Sequence, residues 1–246
     1  MELTGRTALI TGGARRLGRQ IALALAHAGA NVVVNYRQAS SEADAASILA
    51  LARGLGVRAA AVRADVSDAA EVERLLDTVA ADFPRIDVFV ANAGAFRRTP
   101  LASLGEKDWQ EMLRFNLDVF RVPAQRIGLR MKEQGGGCIV ALADVAALRP
   151  WADYIPYSVA KAGVVTVVQT LAVALAPQVR VNAVAPGPIL FPADADEAAY
   201  RREIERTLLQ RSGTAEDVAD AVLFLARNDY VTGVVLPVDG GRLLRG

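Results

Sequence analysis

The sequence predicts an α/β fold in which a parallel sheet is covered by helices on both faces. Short apolar, β-branched runs alternate with longer helical patterns from one end of the chain to the other. Strands without polar alternation are typical of a sheet that is buried on both faces. A chain of 246 residues suits one large domain better than two. We therefore expect a single domain, residues 1–246, with a doubly wound, Rossmann-type sheet.

The predicted elements follow one another without a linker or repeat. Strands are expected at residues 6–11, 31–36, 57–64, 86–91, 138–142, 179–184 and 234–238. Helices are expected at residues 16–27, 41–53, 69–82, 106–134, 154–176 and 215–226. Residues 186–195 contain three prolines and precede a charged helical segment at 196–210. Segment 186–210 is therefore a candidate substrate loop.

Composition excludes several classes of function. The formal charge is +1, from 28 basic and 27 acidic side chains, so neither nucleic acid nor an anionic membrane is an expected partner. Cys138 is the only cysteine and His27 the only histidine, which argues against a disulfide, a metal site and a Ser-His-Asp hydrolase. Both are expected to be packing residues. The N-terminus lacks an apolar signal core, and we expect a cytoplasmic protein.

Three residues form the most informative pattern. Asp144 lies thirteen residues before Tyr157, and Lys161 lies four residues after it. Residues four apart share a helix face, so the Lys161 ammonium is expected to lower the Tyr157 pKa. A tyrosine with a lowered pKa is a usable proton donor near neutrality. The pattern predicts a catalytic group at the carboxyl edge of the sheet.

A glycine-rich turn, T-G-G-A-R-R-L-G, joins the first strand to a helix. In that context backbone amides and the helix N-terminus hold the pyrophosphate of a dinucleotide. Arg16 lies inside this turn, and its guanidinium is suited to contact phosphate or an anionic ring. Arg37 follows the second strand, where NAD enzymes typically carry a carboxylate. An arginine attracts a 2′-phosphate, so we favour NADPH; an exposed loop arginine is the alternative for Arg37 alone.

These motifs, together with Y-S-V-A-K and N-A-G, resemble the short-chain dehydrogenase/reductase family. The resemblance implies that Tyr157 is the proton donor, that Lys161 holds the nicotinamide ribose and that Asn116 supports a water beside the lysine. It also implies a homotetramer. The expected cofactor contacts are Gly12, Arg16, Leu17, Gly18, Arg37, Ser40, Asp65, Val66, Asn92, Ala93, Gly94, Tyr157, Lys161, Pro186 and Gly187.

The residue at position 144 separates this chain from most of that family, which has serine there. An aspartate at this place, with an arginine in the glycine loop, resembles the pteridine reductases. A carboxyl group with a raised pKa is able to relay a proton to a ring nitrogen, which a serine hydroxyl does not do. A strand-end cap is the structural alternative for Asp144. Pteridine reductases commonly have serine at the place of Gly94 and asparagine at that of Ala91, which weakens the likeness.

Aromatic residues fit a flat substrate. Phe96 stands where pteridine reductases stack a pterin ring, although a loop phenylalanine packed into the core is an equal alternative. Phe191 replaces a threonine common in the family, and Trp151 is a further candidate for the substrate pocket. The main prediction is an NADPH-dependent reductase of a pterin-like C=N bond. The alternatives are a reductase of ketones or 3-ketoacyl thioesters and, more remotely, an NADPH-binding regulator without turnover.

Overall fold

The computed structural model describes residues 1–190 and 197–245. Within them lies one parallel sheet of seven strands in the order β3-β2-β1-β4-β5-β6-β7. The order reverses between β1 and β4, which places a ligand-binding crevice at the carboxyl ends of these strands. The predicted Rossmann-type fold is confirmed. The strands are β1 Thr7–Thr11, β2 Asn31–Tyr36, β3 Ala59–Arg63, β4 Val88–Ala91, β5 Gly137–Leu142, β6 Val179–Pro186 and β7 Val235–Val238.

Helices cover both faces of the sheet. One core cluster includes buried residues of α1, α2 and α8, and the other includes buried residues of α3, α5 and α6. The central strands β1 and β4 are buried along their whole length, as their continuous apolar sequences predict. The described helices are α1 Arg16–His27, α2 Glu42–Gly54, α3 Ala69–Asp82, α4 Glu106–Leu113, α5 Val119–Glu133, α6 Ile155–Leu175, α7 Glu197–Glu205 and α8 Ala215–Arg227.

The single helix predicted at residues 106–134 is wrong in one respect. A π-helical turn, Arg114–Asp118, separates α4 from α5. The Asn116 side-chain nitrogen donates to the Met112 carbonyl at 3.0 Å, which an unbroken α-helix would pair with the Asn116 backbone N–H. Side-chain competition for this carbonyl accounts for the wide turn, and single π-turns frequently occur at functional sites.

The apolar helix α6 forms the floor of the site. By length and composition it is the one described helix that is able to cross a membrane. Its buried residues include Tyr157 and Lys161, and it packs against β6, α4 and α5. This packing is typical of a core helix in a soluble domain. The cytoplasmic location stays a prediction.

The predicted substrate loop, 186–210, is described in part. Pro186 ends β6, and the backbone N–H of Gly187 donates to the Val238 carbonyl at 3.0 Å. The charged segment contains α7, whereas residues 191–196, and with them Phe191, lie outside the described residues. The helix predicted at 196–210 is therefore shorter, ending at Glu205.

Candidate active site

Asp144, Tyr157 and Lys161 meet at the carboxyl end of β5. The Tyr157 hydroxyl donates to Asp144 Oδ2 at 2.7 Å, and the Ala146 backbone N–H donates to Asp144 Oδ1 at 2.8 Å. The Lys161 ammonium donates to the Leu142 carbonyl at 2.8 Å and lies 5.8 Å from the centre of the Tyr157 ring. Tyr157 and Lys161 are buried, with 5% and 6% exposure, so each contact acts in a weakly screened environment.

This geometry reverses one expectation about Tyr157. Burial and the neighbouring carboxylate of Asp144 hold the pKa of Tyr157 well above its ordinary value, so the predicted lowering by Lys161 is wrong for this structure. The physical reason is that Asp144 touches the phenol oxygen, while the ammonium is bonded to a main-chain carbonyl. The spacing predicted that Tyr157 and Lys161 share a helix face, but it did not predict which atoms the Asp144 and Lys161 charges contact.

The other two groups are also perturbed. Burial raises the pKa of Asp144, against the opposing effects of the Ala146 N–H, the Tyr157 hydroxyl and the Lys161 charge. Burial lowers the pKa of Lys161 to about 8, although the charge of Asp144 opposes this shift. A buried carboxyl group with a raised pKa, hydrogen-bonded to a tyrosine, is able to exchange a proton with it.

Asn116 adjoins this group through the π-turn. Its side-chain oxygen accepts from the Ala95 backbone N–H at 3.2 Å, and it is 2% exposed. A Cβ atom at Gly94 would lie 3.2 Å from this oxygen and 3.9 Å from the Lys161 nitrogen. Gly94 therefore leaves open a small space that both polar groups border. A serine there, as in the resembling pteridine reductases, would contact the oxygen.

The glycine loop forms a close-packed turn against β4. Gly12 has φ of 61°, in the left-handed region that favours glycine, and a Cβ atom at Gly18 would clash with the Gly12 carbonyl oxygen. The Asn92 side chain donates to the carbonyls of Thr11 and Gly12, both at 3.0 Å. The first turn of α1 contains no acidic residue. These features leave backbone amides and a positive helix end available for an anion, which fits a dinucleotide pyrophosphate.

Two arginines, Arg15 and Arg37, lie near the end of β2 and the start of α2. The sequence predicted a cofactor contact only for Arg37. Arg15 Nη2 donates to the Ser40 carbonyl at 2.6 Å, and Arg15 also pairs with Asp44 at the start of α2. Arg37 lies at the end of β2, with its guanidinium carbon 4.5 Å from the Phe115 ring centre. Arg15 therefore reaches the Ser40 region that was predicted to bind the cofactor. Its position in the same glycine loop, beside Arg16, was the sequence feature that could have identified it.

Asp65 lies two residues after the end of β3. Burial alone would raise its pKa, but hydrogen bonds from Ser67 and the charges of Arg114 and Arg37 lower it below its ordinary value. Arg114 Nη2 lies 3.0 Å from Asp65 Oδ2. Val66 is 3% exposed and belongs to the core, so its side chain is not available to a ligand and only its backbone is.

Arg16 connects two walls of the crevice. It has φ of 49°, a left-handed conformation unusual for a residue other than glycine, at the position where the family commonly has glycine. Its Nη2 donates to the Leu190 carbonyl at 3.0 Å. Leu17 packs its side chain against the core. Arg16 thus joins the glycine loop to the segment that follows β6, three residues after Gly187.

An aromatic cluster lies beside Tyr157. Phe96 stacks on Tyr154, with ring centres 4.7 Å apart and an interplanar angle of 16°. The Phe96 ring is nearly perpendicular to the Tyr157 and Trp151 rings, with ring centres 5.1 Å and 6.2 Å away. Phe96 is 48% exposed, so the alternative of a phenylalanine packed into the core is wrong. The loop of Phe96 is fastened to that of Tyr154 because the Thr99 N–H donates to the Asp153 carbonyl at 2.7 Å.

Comparison with known proteins gives the family. Residues 12–242 match the family model described as enoyl-(acyl carrier protein) reductase. The chain belongs to the short-chain dehydrogenase/reductase family. It is 40% identical to a 3-oxoacyl-[acyl-carrier-protein] reductase of Synechocystis, over 98% of each chain. It is 36% identical to 3beta-hydroxysteroid dehydrogenase 1 of Eggerthella lenta, over 99% of this chain and 95% of that one.

A solved structure agrees. The chain superposes with a TM-score of 0.92 on a gluconate 5-dehydrogenase of Burkholderia cenocepacia in complex with NADP and tartrate. The two are 33% identical, and the match covers 100% of this chain and 98% of that one. This short-chain dehydrogenase/reductase is therefore an oxidoreductase with a nicotinamide cofactor, and a small-molecule substrate is consistent with that family.

Proposed function

We propose that this protein is an NADPH-dependent reductase of carbonyl compounds, of the ketone or 3-oxoacyl thioester class. The observation that carries the proposal is the Tyr157 hydroxyl, held 2.7 Å from a buried carboxyl group beside an aromatic pocket. The three compared relatives are named for a 3-oxoacyl thioester, a hydroxysteroid and gluconate, and all three names describe carbonyl–alcohol chemistry. They favour the carbonyl alternative over the pterin substrate that the sequence first suggested.

The positive charges near the end of β2 support NADPH over NADH as the cofactor. A 2′-phosphate carries negative charge, and Arg15 and Arg37 both border the position where a 2′-substituent of the adenosine would lie. β2 ends at Tyr36 and Arg37 follows it, and neither residue supplies a carboxylate to hold the ribose hydroxyls. Gly12, Gly18 and the N-terminus of α1 would hold the pyrophosphate. Asp65, Asn92, Ala93 and Gly94 would adjoin the adenosine.

The chain's own residues supply the proton. When bound, NADPH supplies the hydride. Tyr157 gives its hydroxyl proton to the substrate oxygen, and Asp144 in its acid form gives a proton to the Tyr157 oxygen in the same step. Asp144 is mostly buried but keeps a small exposed surface, through which it regains a proton from solvent. Lys161 stabilises the developing negative charge on this pair and would hold the nicotinamide ribose, while Asn116 borders the same space.

The substrate contacts follow from the aromatic cluster. Phe96 contacts both the Tyr157 ring and Trp151, and this apolar aromatic surface suits the body of an uncharged carbonyl compound. Pro186 and Gly187, at the end of β6, would adjoin the nicotinamide, and segment 186–210 stays the proposed substrate loop. A single catalytic domain over residues 1–246, a homotetrameric state and a cytoplasmic location remain predictions.

A dihydropterin remains a second candidate because of two observations. Asp144 replaces the serine usual in the family, and a carboxyl acid is suited to protonate a ring nitrogen. Phe96 is stacked on Tyr154 yet 48% exposed, and an exposed aromatic ring is suited to a planar heterocycle. If pterins are the substrates, Asp144→Ser and Phe96→Ala should both reduce turnover of dihydropterins more than that of simple ketones.

The test is a substrate screen with the purified protein. NADPH oxidation would be followed with 3-oxoacyl thioesters, cyclic ketones, ketosteroids and dihydropterins, with Tyr157→Phe as the control for non-enzymatic consumption. The proposal predicts the highest kcat/KM for a carbonyl compound and loss of that activity in the variant. A kcat/KM for dihydropterins far above that of every carbonyl compound would transfer the proposal to the second candidate. Binding of NADPH without turnover of any class would support the regulatory alternative.

A further inference from the structure

The ring of Phe115 contacts two guanidinium groups near the end of β2. The guanidinium carbon of Arg37 is 4.5 Å from the centre of its ring, and that of Arg114 is 5.5 Å away. Phe115 is partly buried and belongs to the π-turn that also contains the catalytic candidate Asn116. A sequence pattern does not bring these residues together, since they come from the end of β2 and from the middle of a long helical region.

The two arginines are held in different ways. Arg114 donates to Asp65 Oδ2 at 3.0 Å and to Ser67 Oγ at 2.8 Å, so its position is fixed by polar bonds. The Arg37 guanidinium makes no hydrogen bond or ion pair within residues 1–190 and 197–245, although its charge contributes to the lowered pKa of Asp65. The ring of Phe115 is thus the contact that holds the Arg37 side chain in this structure.

Stacking on a ring leaves a guanidinium able to bind a ligand. A guanidinium held over an aromatic ring by cation–π attraction forms no hydrogen bond with the ring, so the five N–H donors of Arg37 remain free for a phosphate. A flexible arginine loses conformational entropy when it binds, and a side chain already held in place loses less.

We propose that Phe115 is a positioning residue for cofactor selection, which holds Arg37 where its donors meet the 2′-phosphate of NADPH. The inference rests on the proposed use of NADPH and adds a residue outside the glycine loop and the β2 end. Its effect is specific to the phosphorylated cofactor, because NADH offers Arg37 no phosphate at that place. Removal of the ring should therefore weaken the binding of NADPH and leave that of NADH nearly unchanged.

The experiment compares dissociation constants of NADPH and NADH, measured by fluorescence titration of the full-length protein. Phe115→Leu should reduce the NADPH preference about two- to fivefold, the range that an exposed cation–π contact supports. Phe115→Tyr keeps a ring and should retain the preference of the native protein. In an Arg37→Ala background, Phe115→Leu should change the preference no further, because the side chain that it positions is gone.

A matched control comes from the opposite edge of the sheet. Arg58 stacks on Phe83 at 4.7 Å, immediately before β3, and Arg58→Ala should leave the preference unchanged. The inference is overturned if Arg37→Ala lowers the preference and Phe115→Leu does not, or if Phe115→Tyr loses it as fully as Phe115→Leu. If Arg37→Ala itself has no effect, the assignment of Arg37 to the 2′-phosphate fails and the role of Phe115 fails with it.

Discussion

Replacement of Asp144 by asparagine tests how the proton reaches the substrate. The change keeps the size of the side chain but removes its ionisation. In the native protein Tyr157 donates to Asp144 at 2.7 Å, and the carboxylate is one cause of the raised Tyr157 pKa. A hydrogen bond to a charged group contributes about 1.5–3 kcal/mol. Because 1.36 kcal/mol corresponds to one pKa unit, its loss should lower the Tyr157 pKa by about one to two.

The sign of the pH dependence follows from the two protonation states of Asp144. Its pKa is raised, so the acid form that relays a proton persists above the ordinary value of 3.8 and is lost as pH rises through the raised pKa. Once ionised, the carboxylate holds the Tyr157 proton and weakens it as an acid. The native kcat/KM for reduction should therefore fall across this range by up to about tenfold to a hundredfold, given the size of the coupling.

The assay is a profile of kcat/KM against pH, with NADPH and the best carbonyl substrate. Asp144→Asn should have a lower maximum, because the relay is lost, and should lack the fall that accompanies Asp144 ionisation. Asp153→Asn is a suitable control, since Asp153 pairs with Arg98 at the pocket rim and should keep the native shape. Profiles of the same shape for the native protein and Asp144→Asn would refute a role for Asp144 in proton transfer.

Three further results are expected. Titration should show NADPH binding at least about tenfold more tightly than NADH, equal to ~1.4 kcal/mol, and Arg37→Asp should abolish the difference; equal native affinities would contradict the assignment. Burial lowers the Lys161 pKa to about 8, so below this pH the folded state contains a costly buried charge. Lys161→Met should therefore raise the free energy of unfolding at pH 7 by ~1–3 kcal/mol while abolishing turnover. Relative to this variant, the native protein should gain stability as pH rises above 8, because the buried ammonium loses its charge. A variant less stable than the native protein at pH 7 would show that the buried charge is not destabilising. Gly18→Ala should lower the free energy of unfolding by ~1–3 kcal/mol, because the added methyl group clashes with the glycine loop. Gly54→Ala has open space around it and should raise the free energy of unfolding by about 0.4–1 kcal/mol. Chemical denaturation measures both changes.

The sequence predicted the sheet because its strands are continuous apolar runs that only a doubly covered parallel sheet buries. It did not predict the π-turn at residues 114–118, since the helical period continues through it and the break depends on the Asn116 side chain. The contact between Phe115 and Arg37 could not be predicted from the sequence either. Such contacts join distant segments, and local periodicity contains no information about them.

For the site, spacing predicted which residues meet but not their electrostatic balance. Asp144 and Tyr157 are in contact, as the thirteen-residue separation suggested for members of this family. The direction of the Tyr157 pKa was wrong, because it depends on which atoms Asp144 and Lys161 reach in three dimensions. Arg15 was missed because the sequence does not show the directions of two adjacent arginine side chains, and the fold directs Arg15 to Ser40 and Arg16 to Leu190.

The most direct test of the proposed function is the turnover of Tyr157→Phe, measured together with its affinity for NADPH. The substitution removes one hydroxyl group and leaves the ring that packs against Phe96. If Tyr157 is the proton donor of a carbonyl reductase, NADPH should bind nearly as in the native protein while kcat for the best carbonyl substrate falls by ~10²–10⁴-fold. Near-native turnover with NADPH still bound would contradict the account, because another group would then deliver the proton.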